Sequence, residues 1–269
     1  MDVIRHGKKR QSVHSCIFIL ILILIYKSPP LLITSYPSFI HSSSHPLVHS
    51  SIHLSIVTTI MTTFLGNNRG LVDFDQKNLA IAAASIAFNP IFWNTVARQE
   101  YHNKILTRLF NGNSRYGCYF LAVIIFSLGI FRDFLYERAL RSQPTHPLLL
   151  SPLSQYASYA LLACGNTLVL SSMWALGVTG TYLGDYFGIL MDKMVTGFPF
   201  NVSSAPMYYG STMSFLGTAL WWGKPAGVLL TVEVLIVYLV ALRFEDPFTA
   251  GIYAKRERER SAKGGKKAL

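Results

Sequence analysis

The chain has 269 residues, 51% of them hydrophobic and only 14% charged, against about 25% charged in an ordinary soluble domain, which excludes a water-soluble globular protein. The net charge of +11 does not point to nucleic acid as a partner, because the cations sit at the ends of apolar segments and in a C-terminal run rather than on one domain. The three cysteines, Cys16, Cys118 and Cys164, form no CxxC or Cys/His spacing, so neither a disulfide framework nor a metal site is expected.

Residues 1–60 differ from the rest. Arg5, Lys8, Lys9 and Arg10 precede an apolar run, 16–26, that resembles a signal or anchor core but is short of the ~20 residues a spanning helix needs. From residue 28 to 60 no charge occurs, and Ser, His, Pro, Ile and Leu recur. His41, His45, His49 and His53 would form a metal ladder on a helix, but Pro46 and the Ser-rich, β-branched context oppose a helix, so the repeat reads as low complexity. The composition changes at Met61, and residues 1–60 are expected to be a non-native extension ahead of a domain spanning 61–253.

Four long apolar stretches follow, at 78–97, 116–131, 156–178 and 226–242, and a weaker fifth at 206–222. Their lengths approach the ~17–25 residues of a membrane helix, so the expected fold is all-α, a polytopic bundle of four to five segments. Pro90 inside the first stretch removes a backbone donor and predicts a broken or in-plane helix. Arg132 and Asp133 are expected to close the second. The third runs into Thr179, Gly180 and onward to Leu190, where Gly180, Gly184 and Gly188 predict a smooth helical packing stripe with Tyr182 and Tyr186 opposite it. Asp185 lies among them; a carboxylate at bilayer depth costs about 2.5–3.5 kcal/mol and is a functional candidate, the bland alternative being an acid in interfacial water.

Pro206 suits the first position of a helix, which would end at Trp222, turn through Gly223, Lys224 and Pro225, and return as a C-terminal helical hairpin. If 206–222 spans, the cations Arg98, Lys104, Arg108 and Arg115 share a side with the basic tail, 254–269, which the positive-inside rule makes cytosolic. If it does not, those cations are lumenal. The hairpin arrangement is preferred.

The segments FNPIFWNTVAR (88–98), GCYFLAVIIFSLGIFRD (117–133), LVLSSMWALGVTGTYLGDYFGIL (168–190), FPFN (198–201), PMYYGST (206–212) and FEDPFTAGIY (244–253) together resemble the phospholipid methyltransferase family. The resemblance covers about 73–253. It implies S-adenosyl-L-methionine as methyl donor, a membrane phospholipid substrate methylated on its headgroup nitrogen in the last steps of phosphatidylcholine synthesis, and an endoplasmic reticulum membrane, with a mitochondrial membrane as a second address. It also implies cofactor-binding residues at Ala163, Cys164 and Gly165, where the family's leading glycine is alanine, and at Glu245 and Asp246, where many relatives have two glutamates. In the hairpin arrangement the first group falls in the lumenal half and the second on the cytosolic side.

Methyl transfer to an ammonium-forming amine needs a base, and no histidine follows His146, so Asp185 is the candidate catalytic base. Tyr182, Tyr186 and Tyr208 are candidate substrate-binding residues, since aromatic faces attract alkylammonium by about 0.5–2 kcal/mol. A methyltransferase of another acceptor, such as an isoprenylated cysteine, and a non-catalytic lipid-binding protein are the alternatives. Oligomeric state is not legible.

Overall fold

In the computed structural model of the chain, residues 70–192 and 195–265 are described; the low-complexity segment, its histidine repeat and the proposed start at Met61 lie outside them. Helix α1 runs over Lys77–Asn103, α2 over Ile105–Leu109, α3 over Ser114–Ser142, α4 over Pro152–Thr181, α5 over Pro206–Trp222 and α6 over Pro225–Gly265. Short 3-10 turns occur at Pro147–Leu150 and Gly184–Phe187, and no strand occurs among the described residues. Helices α1, α3, α4 and α6 are long and apolar enough to cross a membrane. The fold is therefore the expected all-α membrane bundle.

Local chemistry sets the helix starts. Asn113 caps α3 by accepting from the backbone of Arg115 and Tyr116, and Ser151 caps α4 by accepting from Ser154, with Pro152 at the first position. Pro206 opens α5, and Gly223 closes it in the left-handed region (φ 63°), where glycine carries no Cβ penalty. The α5–α6 hairpin is as expected, but three boundaries differ. Helix α1 is continuous through Pro90; packing on α3 and α6 holds it, and Asn89 Nδ2 beside the proline donates to Leu128 O of α3 (3.3 Å). Helix α3 passes Arg132 and Asp133 and continues to Ser142, because the Arg132 guanidinium is accommodated over the Phe215 ring (4.8 Å), donates to Tyr238 Oη (2.6 Å) and pairs with Asp133. Helix α6 continues past Arg243 and through Pro247 instead of ending there.

Two packing layers hold the bundle. Leu79, Ala82 and Ile86 of α1, Tyr136, Ala139 and Leu140 of α3, Phe215 of α5, and Ala226, Leu230, Val234 and Tyr238 of α6 form one buried cluster. Its hydroxyl is satisfied, since Tyr136 donates to the backbone near Phe215 O (2.9 Å) and Gly227 O (3.1 Å). Helix α4 meets α5 through small residues: Ser158 Oγ donates to Gly217 O (2.8 Å), and a Cβ on Gly165 would stand 2.5 Å from Gly210 O. Such close backbone approach is the usual way helices adhere where lipid removes any hydrophobic drive. The outer faces carry Val123, Phe131, Trp174, Ile236 and Val240, apolar and exposed as lipid requires.

The helices alternate in direction, so one end of the bundle gathers the loops around residues 73, 143–151 and 223–225. There Gln143 pairs with the Asp73 backbone, His146 N donates to Gly223 O, and Lys224 Nζ donates to Gln143 O. Burial holds the Lys224 ammonium below its ordinary lysine pKa. The other end gathers residues 93–118, 182–191, 205–208 and 245–256, tied by Arg98 to Phe244 O (2.8 Å) and Arg256 to Met191 O (2.8 Å). It contains Asp185, Glu245 and Asp246 and the tyrosines Tyr182, Tyr186 and Tyr208.

Candidate active site at one end of the bundle

The site starts from the backbone after α4. The expected glycine stripe does not exist as one helical face. Gly177 leaves helical geometry (φ 65°), α4 ends at Thr181, and Gly188 is again left-handed (φ 79°), so 182–190 folds as a compact turn. Within it Tyr186 and Phe187 turn inward, and Tyr186 is fully buried rather than displayed opposite the glycines. Tyr186 stacks on Phe248 of α6 (5.0 Å, 11°), and Asp185 Oδ2 accepts from Thr249 Oγ1 (3.0 Å). Phe248 and Thr249 lie one turn beyond Glu245 on α6, so the turn delivers Asp185 and Tyr186 to the stretch of helix that carries the glutamate.

Glu245 is the buried carboxylate on which the helices of this end meet. It is buried on α6 and accepts three hydrogen bonds: from Trp93 Nε1 (2.8 Å) and Asn94 Nδ2 (2.7 Å), both to Oε1, and from Tyr208 Oη to Oε2 (2.6 Å). Three helices thus converge on one carboxylate. Tyr208 is in turn set edge-on to Tyr238 (4.8 Å). Arg98, one turn beyond Asn94 on the same face of α1, lies over Phe248 at 4.7 Å. Pro247 has no N–H, which disturbs hydrogen bonding in this turn of α6, and the Arg98 bond to Phe244 O supplies a donor there.

Two buried polar atoms here lack a protein partner, Asn94 Oδ1 and Tyr186 Oη. Buried polar groups are nearly always satisfied, so unpaired ones beside an anchored carboxylate mark a place for a polar ligand. An ammonium group fits this set, having hydrogens to give to Glu245 and to a free carbonyl oxygen. Among the described residues no group of His, Cys, Asp and Glu is arranged to hold a metal ion.

The remaining candidates are placed differently. Asp246 is exposed, one residue from Glu245 but on another face of α6. Tyr182 caps α4, half-buried, and its carbonyl accepts from Cys118 Sγ (3.6 Å). Ala163 and Cys164 are exposed on the outside of α4, while Gly165 is buried against α5. Gly165 meets α5 at Gly210, two residues past Tyr208, so it lies in the half of the bundle that holds Glu245, not in the opposite half as the hairpin arrangement predicts. The reason is that α4 enters at the far end and has covered about 20 Å by Gly165. Trp93, Asn94, Arg98, Phe248 and Thr249 join the candidate site around Glu245 and Asp185; they fall within the segments 88–98 and 244–253 without being site candidates there, and polar Trp and Asn side chains inside an otherwise apolar span are the available signal.

The profile of the phospholipid methyltransferase family matches residues 153–256, the stretch containing α4, the inward turn, α5 and Glu245. A Neurospora crassa protein named phosphatidyl-N-methylethanolamine N-methyltransferase is 69% identical over 194 residues, covering 72% of this chain and 91% of its own length. The chain belongs to the phospholipid methyltransferase family. The Saccharomyces cerevisiae protein of the same name is 57% identical over 187 residues (70% of this chain, 90% of its own). A Rattus norvegicus phosphatidylethanolamine N-methyltransferase is 49% identical over 187 residues (70% and 94%). No solved structure matches. The family makes the chain a membrane enzyme, a methyltransferase that acts on phospholipid, and it makes the cluster around Glu245 a candidate for the methyl-donor site.

Proposed function

We propose that this phospholipid methyltransferase transfers methyl groups from S-adenosyl-L-methionine to the headgroup nitrogen of phosphatidyl-N-methylethanolamine and phosphatidyl-N,N-dimethylethanolamine, giving phosphatidylcholine, in an endoplasmic reticulum membrane. The names and high identity of the fungal relatives support the acceptor. The observation that carries the site is the Glu245 carboxylate, buried and held by Trp93, Asn94 and Tyr208 with unpaired polar atoms beside it.

Depth supports a lipid headgroup as acceptor. At 1.5 Å per residue, Lys77 to Arg98 and Pro225 to Glu245 each rise about 30 Å, one hydrocarbon thickness. Glu245 therefore sits where the hydrocarbon ends, and a headgroup reaches it without the lipid leaving the bilayer. S-adenosyl-L-methionine supplies an electrophilic methyl on a cationic sulfonium. The chain's task is to bind, orient and deprotonate. Glu245 pairs with the donor's ammonium, its geometry fixed by three donors before binding. The lipid amine, protonated at neutral pH by analogy with lysine, gives its proton to Asp185, whose Oδ2 is held by Thr249. The lone pair so freed would take the donor's methyl carbon in line as its bond to sulfur breaks, with S-adenosylhomocysteine leaving. Tyr208 and Tyr186 present aromatic faces that suit the growing alkylammonium. The basic segments at the site end, Arg98 to Arg115 and Lys255 onward, orient that end to the cytosol.

The test is expression in a cell lacking its own phospholipid methyltransferases, with mono- or dimethylethanolamine supplied. Phosphatidylcholine is expected from both precursors; unchanged lipid pools would overturn the proposal.

A further inference from the structure

We infer that Asn94 on α1 is a direct ligand of the methyl donor's ammonium group, sharing it with Glu245. This rests on the donor reading of the Glu245 site above. Asn94 lies outside the stretch the family profile matches. Its amide orientation is determined: Nδ2 has two hydrogens, and both are used, one toward Glu245 Oε1 (2.7 Å) and one toward Pro90 O (3.1 Å). The oxygen is thereby turned away from both, and it is buried with no hydrogen-bond partner. A side chain needed only to hold Glu245 has no use for a free buried acceptor.

Glu245 has the complementary remainder. Oε1 takes two donors, while Oε2 takes only Tyr208 and keeps a lone pair. The site thus offers two acceptors from two helices, one charged and one neutral. A primary ammonium, with three hydrogens, can use both. A dimethylammonium headgroup has one hydrogen and cannot. The pair therefore favours the amino-acid portion of the donor over the dimethyl lipid amine, and a monomethyl headgroup, with two hydrogens, competes less well than a primary ammonium with three. The oxygen is closed to water as it stands, so binding is accompanied by a side-chain shift that opens it.

Binding to the full chain in lipid nanodiscs tests this by calorimetry with two probes. S-adenosylhomocysteine carries the ammonium; 5′-methylthioadenosine has the same adenosine and sulfur without the amino-acid portion. Asn94→Ala should weaken the first by roughly 10- to 100-fold and leave the second unchanged. Trp93→Phe is the comparison, since it removes another Glu245 donor but no free acceptor. An ammonium-selective loss at Asn94 at least several-fold larger than at Trp93 supports direct contact. Equal losses would reduce Asn94 to a positioning residue and overturn the inference. Asn94→Ser is measured alongside; if both variants lose both probes, Asn94 serves the fold and the inference fails. Glu245→Gln separates the underlying reading: if it leaves S-adenosylhomocysteine binding intact, the donor reading itself is wrong, whereas a loss there with none at Asn94 defeats only the inference.

Discussion

At the scale of single residues, two acids on different elements have separate work in the proposed reaction, Asp185 being held by Thr249 one helical turn beyond Glu245. Glu245 binds and Asp185 takes a proton. Glu245→Gln removes the charge but keeps the side chain's size. A charge-assisted hydrogen bond is worth about 1.5–3 kcal/mol, so the donor KM should rise on the order of 10- to 100-fold with the bundle intact, measured by steady-state kinetics on membranes. An unchanged KM would remove Glu245 from the donor site. Asp185→Asn cannot accept the proton, and turnover should fall roughly 10²–10⁴-fold while donor affinity holds. Turnover near that of the unmodified chain would rule it out as the base. Both acids are legible in the sequence, Asp185 as a carboxylate among apolar residues and Glu245 from the family motif. The residues that hold Glu245 are not. Trp93 and Asn94 lie 152 and 151 positions away and read as part of an apolar run, because nothing local reveals which helix will pack beside them.

At the scale of elements, the α4–α5 seam and the turn after it decide how the site is built. Five apolar segments are readable because each approaches a bilayer in length, and the hairpin turn is readable from Gly223 and Pro225. The glycine spacing in 180–188 misleads because a four-residue repeat looks the same whether or not the helix continues; Gly177, free to adopt φ 65°, breaks the helical geometry and α4 ends at Thr181. Gly165 has a packing explanation that the motif alone conceals. A methyl there would stand 2.5 Å from Gly210 O, a backbone atom that can yield only by moving α5. Gly165→Ala should therefore cost about 1–3 kcal/mol of stability, seen as a lowered unfolding midpoint in detergent, with Gly210→Ala behaving alike. If Gly165→Ala instead raises the donor KM at unchanged stability, the glycine serves the cofactor and the seam argument fails.

At the scale of the whole molecule, the arrangement is a bundle whose chemistry is confined to one end. The basic residues Arg98, Lys104, Arg108 and Arg115 and the basic part of α6 share that end, and Lys224 and His146 mark the other. Single cysteines at Gly112 and Glu259, in a chain with Cys16, Cys118 and Cys164 replaced by serine, should be labelled by an impermeant reagent from the cytosolic face of sealed microsomes, and a cysteine at Pro144 only after permeabilisation. Opposite labelling of Gly112 and Glu259 positions would break the shared end on which the site depends. The depth of Glu245 joins this topology to the chemistry, since a carboxylate one hydrocarbon thickness along α6 is reachable both by a water-soluble donor and by a bilayer lipid. The central claim is therefore best tested by incubating the purified chain, in vesicles containing phosphatidyl-N-methylethanolamine, with S-adenosyl-L-methionine labelled in its methyl group. Label should appear first in the dimethyl lipid and then in phosphatidylcholine, and should vanish with Glu245→Gln at limiting donor. Label absent from lipid, while the chain still binds donor, would contradict the account.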